Sequence, residues 1–80
     1  MAKEVLSKET LNAIFQATPH ILRFPAAKMW MDYDKEADVL YISFKRPQRA
    51  TDSEMLENGV LLRYKDGEVV GLTILDASKR

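Results

Sequence analysis

The chain of 80 residues has no cysteine and only one histidine, His20. Disulfide bonds are therefore excluded, and neither a thiolate set nor a histidine cluster is available to bind a metal. The sequence predicts no metal site and no cofactor. A chain of this length forms one domain over 1–80, whose thin core is often supplemented by oligomerisation. Because disulfides and metals are excluded, we expect a homo-oligomer, with a dimer favoured.

An excess of charge is also lacking, since 12 basic residues stand against 12 acidic ones. Proteins that bind duplex nucleic acid are usually basic, so this balance disfavours a nucleic-acid partner. No apolar run approaches the roughly 18 residues of a membrane helix, so no membrane association is expected. The first six residues carry Glu4 and lack the apolar core of an export signal. These absences favour a cytoplasmic protein.

The first element that the sequence predicts is a helix. Ser7 is a suitable N-cap, because its hydroxyl can accept a bond from the backbone amides that open a helix. Pro19 disfavours helical backbone at Thr18, which predicts that the helix ends near there. A helix this short is marginal in water and must pack on a sheet, either its own or that of a neighbouring subunit. Its apolar stripe has the spacing of one helix face and comprises Leu11, Ile14 and Phe15.

Four strands are predicted after the helix, over about 28–33, 38–44, 60–64 and 68–75, from alternating apolar residues. Residues 34–37 have the length of a hairpin loop, so the strands on either side should be antiparallel. The long segment 45–58 contains Pro47 and a polar run, and predicts irregular structure. The fold class is α+β, with an N-terminal helix packed on a four-stranded antiparallel sheet built from two hairpins.

The register of the second hairpin can be predicted from the faces of its strands. A two-residue loop at Asp66 and Gly67 would pair Leu62 with Gly71. A three-residue loop pairs Leu62 with Val70 and brings the apolar residues of both strands to one face. Because a slip of one residue turns every side chain to the other face, the pattern favours the three-residue loop. Gly67 then takes the left-handed conformation, which glycine adopts without strain.

Strand alternation divides the apolar residues between two faces. The core face collects Leu40, Ile42, Phe44, Val60, Leu62, Tyr64, Val70, Leu72 and Ile74. The opposite face is less polar than a solvated face should be, and an apolar patch of this kind usually marks an interface. The predicted interface residues are Trp30, Val39, Tyr41, Leu61 and Val69.

Acidic residues at alternate positions suggest two readings of the first hairpin. A helix–loop–helix calcium loop needs glycine at its sixth position and a bidentate glutamate at its twelfth, where this chain has Ala37 and Ser43. Turn chemistry fits better, because Asp34 can accept bonds from backbone amides two residues further on. The acidic residues are Asp32, Asp34, Glu36 and Asp38.

A hydrolytic set could be assembled from Asp76, Ser78 and His20, but nothing in the sequence brings them within hydrogen-bond reach. The simpler prediction is that Asp76 and Ser78 bond to nearby backbone amides and end the last strand. We therefore expect no enzymatic activity. The alternative is small-ligand binding or enzymatic activity at a subunit seam, through Asp32, Tyr41 and Arg63.

Three cations, Lys45, Arg46 and Arg49, form a basic cluster on the long loop. One alternative is RNA binding through these residues, with Trp30 and Tyr41 as stacking surfaces. The other is a solvated loop whose charges are neutralised by acidic neighbours, and the balanced total charge favours it. The acidic neighbours are Asp52, Glu54 and Glu57.

The run Asp32-Tyr33-Asp34-Lys35-Glu36-Ala37-Asp38-Val39-Leu40-Tyr41-Ile42-Ser43-Phe44 resembles the small bacterial and archaeal proteins of the family domain of unknown function 2283 (DUF2283). The closing segment Val70-Gly71-Leu72-Thr73-Ile74-Leu75-Asp76-Ala77-Ser78 is similar to that family as well. The resemblance implies a small α+β domain of prokaryotic origin and brings no established activity. Some members resemble the antitoxin of a toxin–antitoxin pair.

These observations predict a non-catalytic, homo-oligomeric protein–protein interaction module. The resemblance adds an antitoxin-like role, in which the module binds a small protein encoded nearby. The face bearing Trp30, Val39 and Tyr41 is expected to make the contacts, and the loop 45–58 to supply specificity. The sequence leaves open the partner, the oligomer number, and whether the helix packs within its own chain or is exchanged.

Overall fold

The computed structural model describes residues 6–80, so most of the N-terminal segment on which the export-signal expectation rests lies outside it. A single antiparallel sheet has the strand order β1-β2-β5-β4-β3. The α+β class is confirmed, but the sheet has five strands, where four were predicted. The elements are α1 (Lys8–Ile21), β1 (Trp30–Asp34), β2 (Val39–Ser43), β3 (Asp52–Met55), β4 (Val60–Lys65), β5 (Glu68–Leu75) and a final 3₁₀ turn (Ala77–Lys79).

Helix α1 begins as predicted, with Ser7 as its N-cap and the Ser7 side chain accepting a bond from a backbone amide. The predicted end near Thr18 is wrong, because the helix continues through Pro19. Pro19 removes only one backbone donor. The amide of Leu22 donates to the Thr18 carbonyl at 3.1 Å and the Thr18 hydroxyl to the Ile14 carbonyl at 2.7 Å. These bonds hold the last turn against the restriction that proline imposes on the residue before it.

Strand β3 lies within the segment 45–58 that was predicted to be irregular. Its four residues are all exposed, so it has none of the apolar alternation by which a strand is predicted. It is held by pairing along its length with β4, and Gly59, with φ of +80°, closes the turn between them. A short, polar edge strand of this kind resists pairing with other chains. The sheet is therefore a hairpin, β1–β2, joined to a three-stranded meander, β3–β4–β5.

The turn between β4 and β5 has two residues, Asp66 and Gly67, with φ of +53° and +78°. The predicted three-residue loop is therefore wrong, although the left-handed conformation of Gly67 is confirmed. Beyond the turn, β5 contains one extra residue, because Tyr64 pairs with Val69 whereas Arg63 pairs with Gly71. The apolar residues still meet on one face, with Leu62 opposite Leu72 and residue 60 opposite residue 74. The prediction failed because it allowed no such shift.

The core of the sheet is small. Only three of the predicted core residues are buried: Ile42 (1% exposed), Phe44 (8%) and Val70 (1%). The other predicted core residues are half-buried. Met31 and Tyr33 of β1, which lie on the same face, are about half exposed. The pairing places seven of these partly exposed residues in two adjacent rows across β1, β2, β5 and β4. We call them the apolar patch: Met31, Tyr33, Leu40, Val60, Leu62, Leu72 and Ile74.

Helix α1 does not cover this patch. None of its residues is buried, and it makes no extended contact with any strand of the described chain. Packing of the helix on its own sheet, one of the two arrangements that the sequence left open, is therefore not what the structure has. The exposed fractions are 36% for Leu11, 46% for Ile14, 66% for Phe15 and 79% for Leu22. We call these four residues the α1 stripe, which like the patch lacks a full cover within residues 6–80.

Candidate functional site

The predicted interface residues occupy different environments on the face of the sheet opposite the core face, which we call the second face. Tyr41 is 44% exposed, whereas Val39 is 8% exposed and belongs to the core. Trp30 and Leu61 are half-buried and share this face with Tyr41. Val69 does not lie on this face as predicted, because the register shift in β5 places it opposite Tyr64 of the core face. Tyr41 therefore remains as the most exposed of the five.

A crossover loop (45–51) closes part of the second face. It must carry the chain from β2 to β3, past the two strands that lie between them. The guanidinium carbon of Arg46 lies 5.9 Å from the centroid of the Trp30 ring, within range of a cation–π contact. The Nε2 of Gln48 donates to the Ser43 hydroxyl at 2.8 Å, and the Gln48 side chain lies against Gly71. The loop is thus fastened to the sheet at Trp30, Ser43 and Gly71.

Gly71 allows the close approach of the loop at this crossing, although its backbone is not left-handed. A Cβ atom at this position would collide with the Gln48 amide and lie 3.0 Å from the carbonyl oxygen of Ile42. We predict that Gly71→Ala destabilises the fold by about 1–3 kcal/mol, as overpacking typically does. Urea denaturation measures the loss. The double variant Gly71→Ala with Gln48→Ala should recover part of it, and a double variant no better than the sum of its single changes would contradict this account.

The three cations of the basic loop do not form one patch. Lys45 pairs with Glu68 at 3.3 Å, in place of the acidic neighbours proposed from the sequence. Arg46 lies over Trp30. Arg49 lies by a cleft near the β4–β5 turn that Lys45 also lines, so only Arg46 is apart from the other two. Two of the three charges are therefore engaged within the chain itself.

The set proposed for a ligand at a subunit seam is only partly assembled. Asp32 lies directly opposite Tyr41. Arg63 is on the same face, but β5 separates its strand from that of Tyr41. Arg63 instead borders a cleft formed by residues 50–53, where its Nε is buried without a hydrogen-bond partner in the described chain. The three side chains do not line one pocket.

The acidic hairpin contains a turn and a clamp. Both backbone amides of Glu36 and Ala37 donate to the Asp34 carboxylate at 3.1 Å, which confirms the turn chemistry predicted for Asp34. Asp38, with φ of +56°, accepts bonds from the Tyr33 hydroxyl at 2.6 Å and from the Ser78 amide and hydroxyl at 3.0 and 2.8 Å. This clamp joins the β1–β2 turn to residues that follow β5.

The prediction that Asp76 and Ser78 bond to nearby backbone amides is wrong. Ser78 bonds to Asp38, 40 residues away in sequence, and the Asp76 side chain makes no capping bond. Asp76 has φ of +50°, which turns the chain back toward the first hairpin and brings Ser78 to Asp38. His20 is exposed on α1 and shares no hydrogen bond with Asp76 or Ser78 in the described chain.

The clamp shifts two pKa values in opposite directions. The hydrogen bond from Tyr33, followed by the two bonds from Ser78, lowers the pKa of Asp38 below its ordinary value. The same bond to the carboxylate raises the pKa of Tyr33 above its ordinary value. Near neutral pH the clamp is therefore a carboxylate that accepts from neutral donors, an arrangement suited to holding two segments together.

The stability of the clamp should depend on pH. Because the folded-state pKa of Asp38 lies below its ordinary value of 3.8, its contribution is present above that pH and is lost as pH falls through the folded-state pKa. We predict that Asp38→Asn is less stable than the unchanged chain at pH 7, and that the difference shrinks toward pH 3. Denaturant midpoints across this range measure it. The control is Asp32→Asn, and equal losses from both variants would contradict the prediction.

Two features of this site escaped prediction from the sequence. Gln48 was not singled out, although a glycine inside a strand often marks the close approach of another part of the chain, and Gly71 is such a residue. The bond between Asp38 and Ser78 leaves no local spacing by which it could be recognised.

Among residues 6–80, no three acidic or histidine side chains are grouped to hold a metal ion. No helix of that part is long and apolar enough to cross a membrane.

The fold and its surfaces define a small α+β protein whose single sheet is secured by a polar clamp and a crossover loop, with an apolar helix stripe beside it. Residues 30–78 match the model of the family "Protein of unknown function (DUF2283)". The chain belongs to this family, as the resemblance indicated. The matched region contains all five strands and excludes α1. Comparison with curated proteins finds no match, and comparison with solved structures finds none.

Proposed function

We propose that this chain is a non-catalytic protein–protein interaction module that works as a homo-oligomer, with a dimer favoured. The observation that carries the proposal is the exposure of the α1 stripe, which reaches 66% at Phe15 and 79% at Leu22. A helix of 14 residues is marginal in water unless its apolar side packs against something. Amphipathic helices of this kind are a common means of docking to other chains.

A finer form of the proposal is an antitoxin-like role in a prokaryotic cytoplasm, supported by the small size and by the family resemblance. The partner would be a small protein encoded nearby. Tyr41 and Met55, 44% and 54% exposed, lie on the same second face of the sheet and would provide apolar contacts for this partner. The neighbouring segment 45–58 would supply specificity, since its residues are largely exposed and polar.

The alternative of RNA binding has less support. Lys45 is paired with Glu68 and Arg46 lies on Trp30, so each would have to leave a contact within the chain to reach a phosphate. Strong, salt-sensitive retention on a polyanion column would restore this alternative.

Two measurements test the proposed function. Sedimentation equilibrium at micromolar concentration should give at least twice the chain mass of 9.2 kDa. Co-expression with the neighbouring gene product, followed by purification through a tag on this chain, should recover the partner and relieve any toxicity of that product. A monomeric mass would refute the oligomer, and a neighbour that neither co-purifies nor is neutralised would refute the antitoxin-like role.

A further inference from the structure

We propose that two copies of this chain exchange their helices, so that the α1 stripe of each copy lies on the apolar patch of the other. This inference rests on the proposed function and specifies the surface and its occupant. The α1 stripe has 36–79% exposure. The patch has Met31 and Tyr33 at 50% and 49% exposure along one edge, and half-buried residues around the buried Ile42 behind them.

The two surfaces match in size. From Leu11 to Leu22 the helix rises about 16 Å, at 1.5 Å per residue. The patch crosses the four neighbouring strands β1, β2, β5 and β4, which span about 14 Å between the outer strand axes. A helix lying across these strands would therefore cover both rows of the patch along the length of its stripe.

The accessible surface area of the chain is also larger than that of a compact monomer of the same mass. The accessible surface is 6739 Å², whereas a compact monomer of 9.2 kDa exposes about 4,900 Å². The excess is about 1,800 Å² per chain, so two copies together carry more surplus surface than the roughly 1,600 Å² that a standard interface buries.

A second copy is the occupant that fits, because the same chain carries both complementary surfaces. A two-fold arrangement covers both patches and both stripes with no further protein. The segment 22–29 between α1 and β1 has eight residues and can reach about 27 Å when extended. Its start is held by backbone bonds from Arg23 to His20 and from Phe24 to Ile21, and α1 makes no extended contact with the strands of its own chain. The balanced net charge opposes no such pairing.

The absence of cysteine allows a crosslinking test on full-length chains. One chain carries Thr18→Cys, a substitution of similar size on the side of α1 that bears the stripe. The other carries Met31→Cys at the exposed edge of the patch. After the two chains are mixed, a flexible bismaleimide should join Thr18→Cys of one to Met31→Cys of the other. The matched control replaces Thr18→Cys with Gln16→Cys on the opposite side of α1, and should lose most of the crosslinked product.

The outcomes separate this inference from the proposed function. Crosslinks between unlike chains, together with a dimeric mass, support helix exchange. A dimeric mass with crosslinks only between two Thr18→Cys chains would mean that the stripes pair with each other, which overturns the exchange but leaves the interaction module intact. A further chain carries both Thr18→Cys and Met31→Cys. If this chain crosslinks only within itself and has monomer mass, the exchange and the homo-oligomer are both overturned. In the dimer, Phe15→Ser should weaken association about 100-fold or more, since two copies of the side chain leave the interface.

Discussion

Ile42→Ala should lower the free energy of unfolding by about 2–5 kcal/mol, the usual range for removing a buried isoleucine side chain. Ile42 is 1% exposed and lies on β2, between Met31 of β1 and Leu72 of β5. Few other residues contribute to the core, because only four apolar side chains of the described chain are buried. Small domains have about 5–15 kcal/mol of stability in total, so this single change should leave the protein close to unfolding.

Urea denaturation followed by circular dichroism measures this loss, provided that the slope of the transition is unchanged. The matched control is Met55→Ala, which shortens an apolar side chain that is 54% exposed on the edge strand. The control should cost well under about 1 kcal/mol, as surface substitutions usually do. Equal losses from the two variants would mean that the centre of the sheet is not where the fold is stabilised.

Replacing two residues of the α1 stripe, Ile14→Ser with Phe15→Ser, should uncouple stability from protein concentration. For a dimer whose folded state depends on association, each tenfold rise in concentration adds about 1.4 kcal/mol. The double variant removes four apolar side chains from the dimer. Because these side chains are partly exposed in the single chain, 46% and 66%, we expect the dimer to be weakened by about 3–6 kcal/mol.

Thermal unfolding at several concentrations tests this expectation. The midpoint of the unchanged chain should rise with concentration, whereas that of the double variant should not. The control carries Asn12→Ser and Gln16→Ser, the same number of serines on the polar side of α1, and should keep the dependence. If the unchanged chain shows no dependence on concentration, the helix contributes nothing to association and the proposed oligomer is refuted.

Strand alternation predicted much of the sheet, because a side chain's face depends on nothing more than its position in the strand. It placed Leu40, Ile42 and Phe44 on one face and Val39 and Tyr41 on the other. The pairing confirms this for the residues of β2, and Phe44, just beyond β2, is buried. It could not show β3, whose exposed residues carry no alternation. Nor could it show the register shift in β5, which leaves the apolar face intact while changing every partner beyond it.

Contacts between distant segments were the second kind of feature that the sequence concealed. Asp34 and its turn could be predicted, because its partners lie two and three residues away. Asp38 and Ser78 are 40 residues apart, and no periodicity connects them. Helix α1 illustrates a related case. Its spacing shows that one side is apolar, but the spacing is the same whether that side is covered by the chain's own sheet or by another molecule.

The strand order has a consequence for how the chain folds. The hairpin β1–β2 and the meander β3–β4–β5 are each local in sequence, while the pairing of β2 with β5 joins residues about 30 positions apart. Local units form before distant ones meet, because closing a long loop costs entropy that only the later contacts offset. We therefore expect β2–β5 docking to be the rate-limiting step, with Gln48 and the Asp38 clamp acting only after the transition state. Variants at those two positions should accelerate unfolding and leave the refolding rate nearly unchanged.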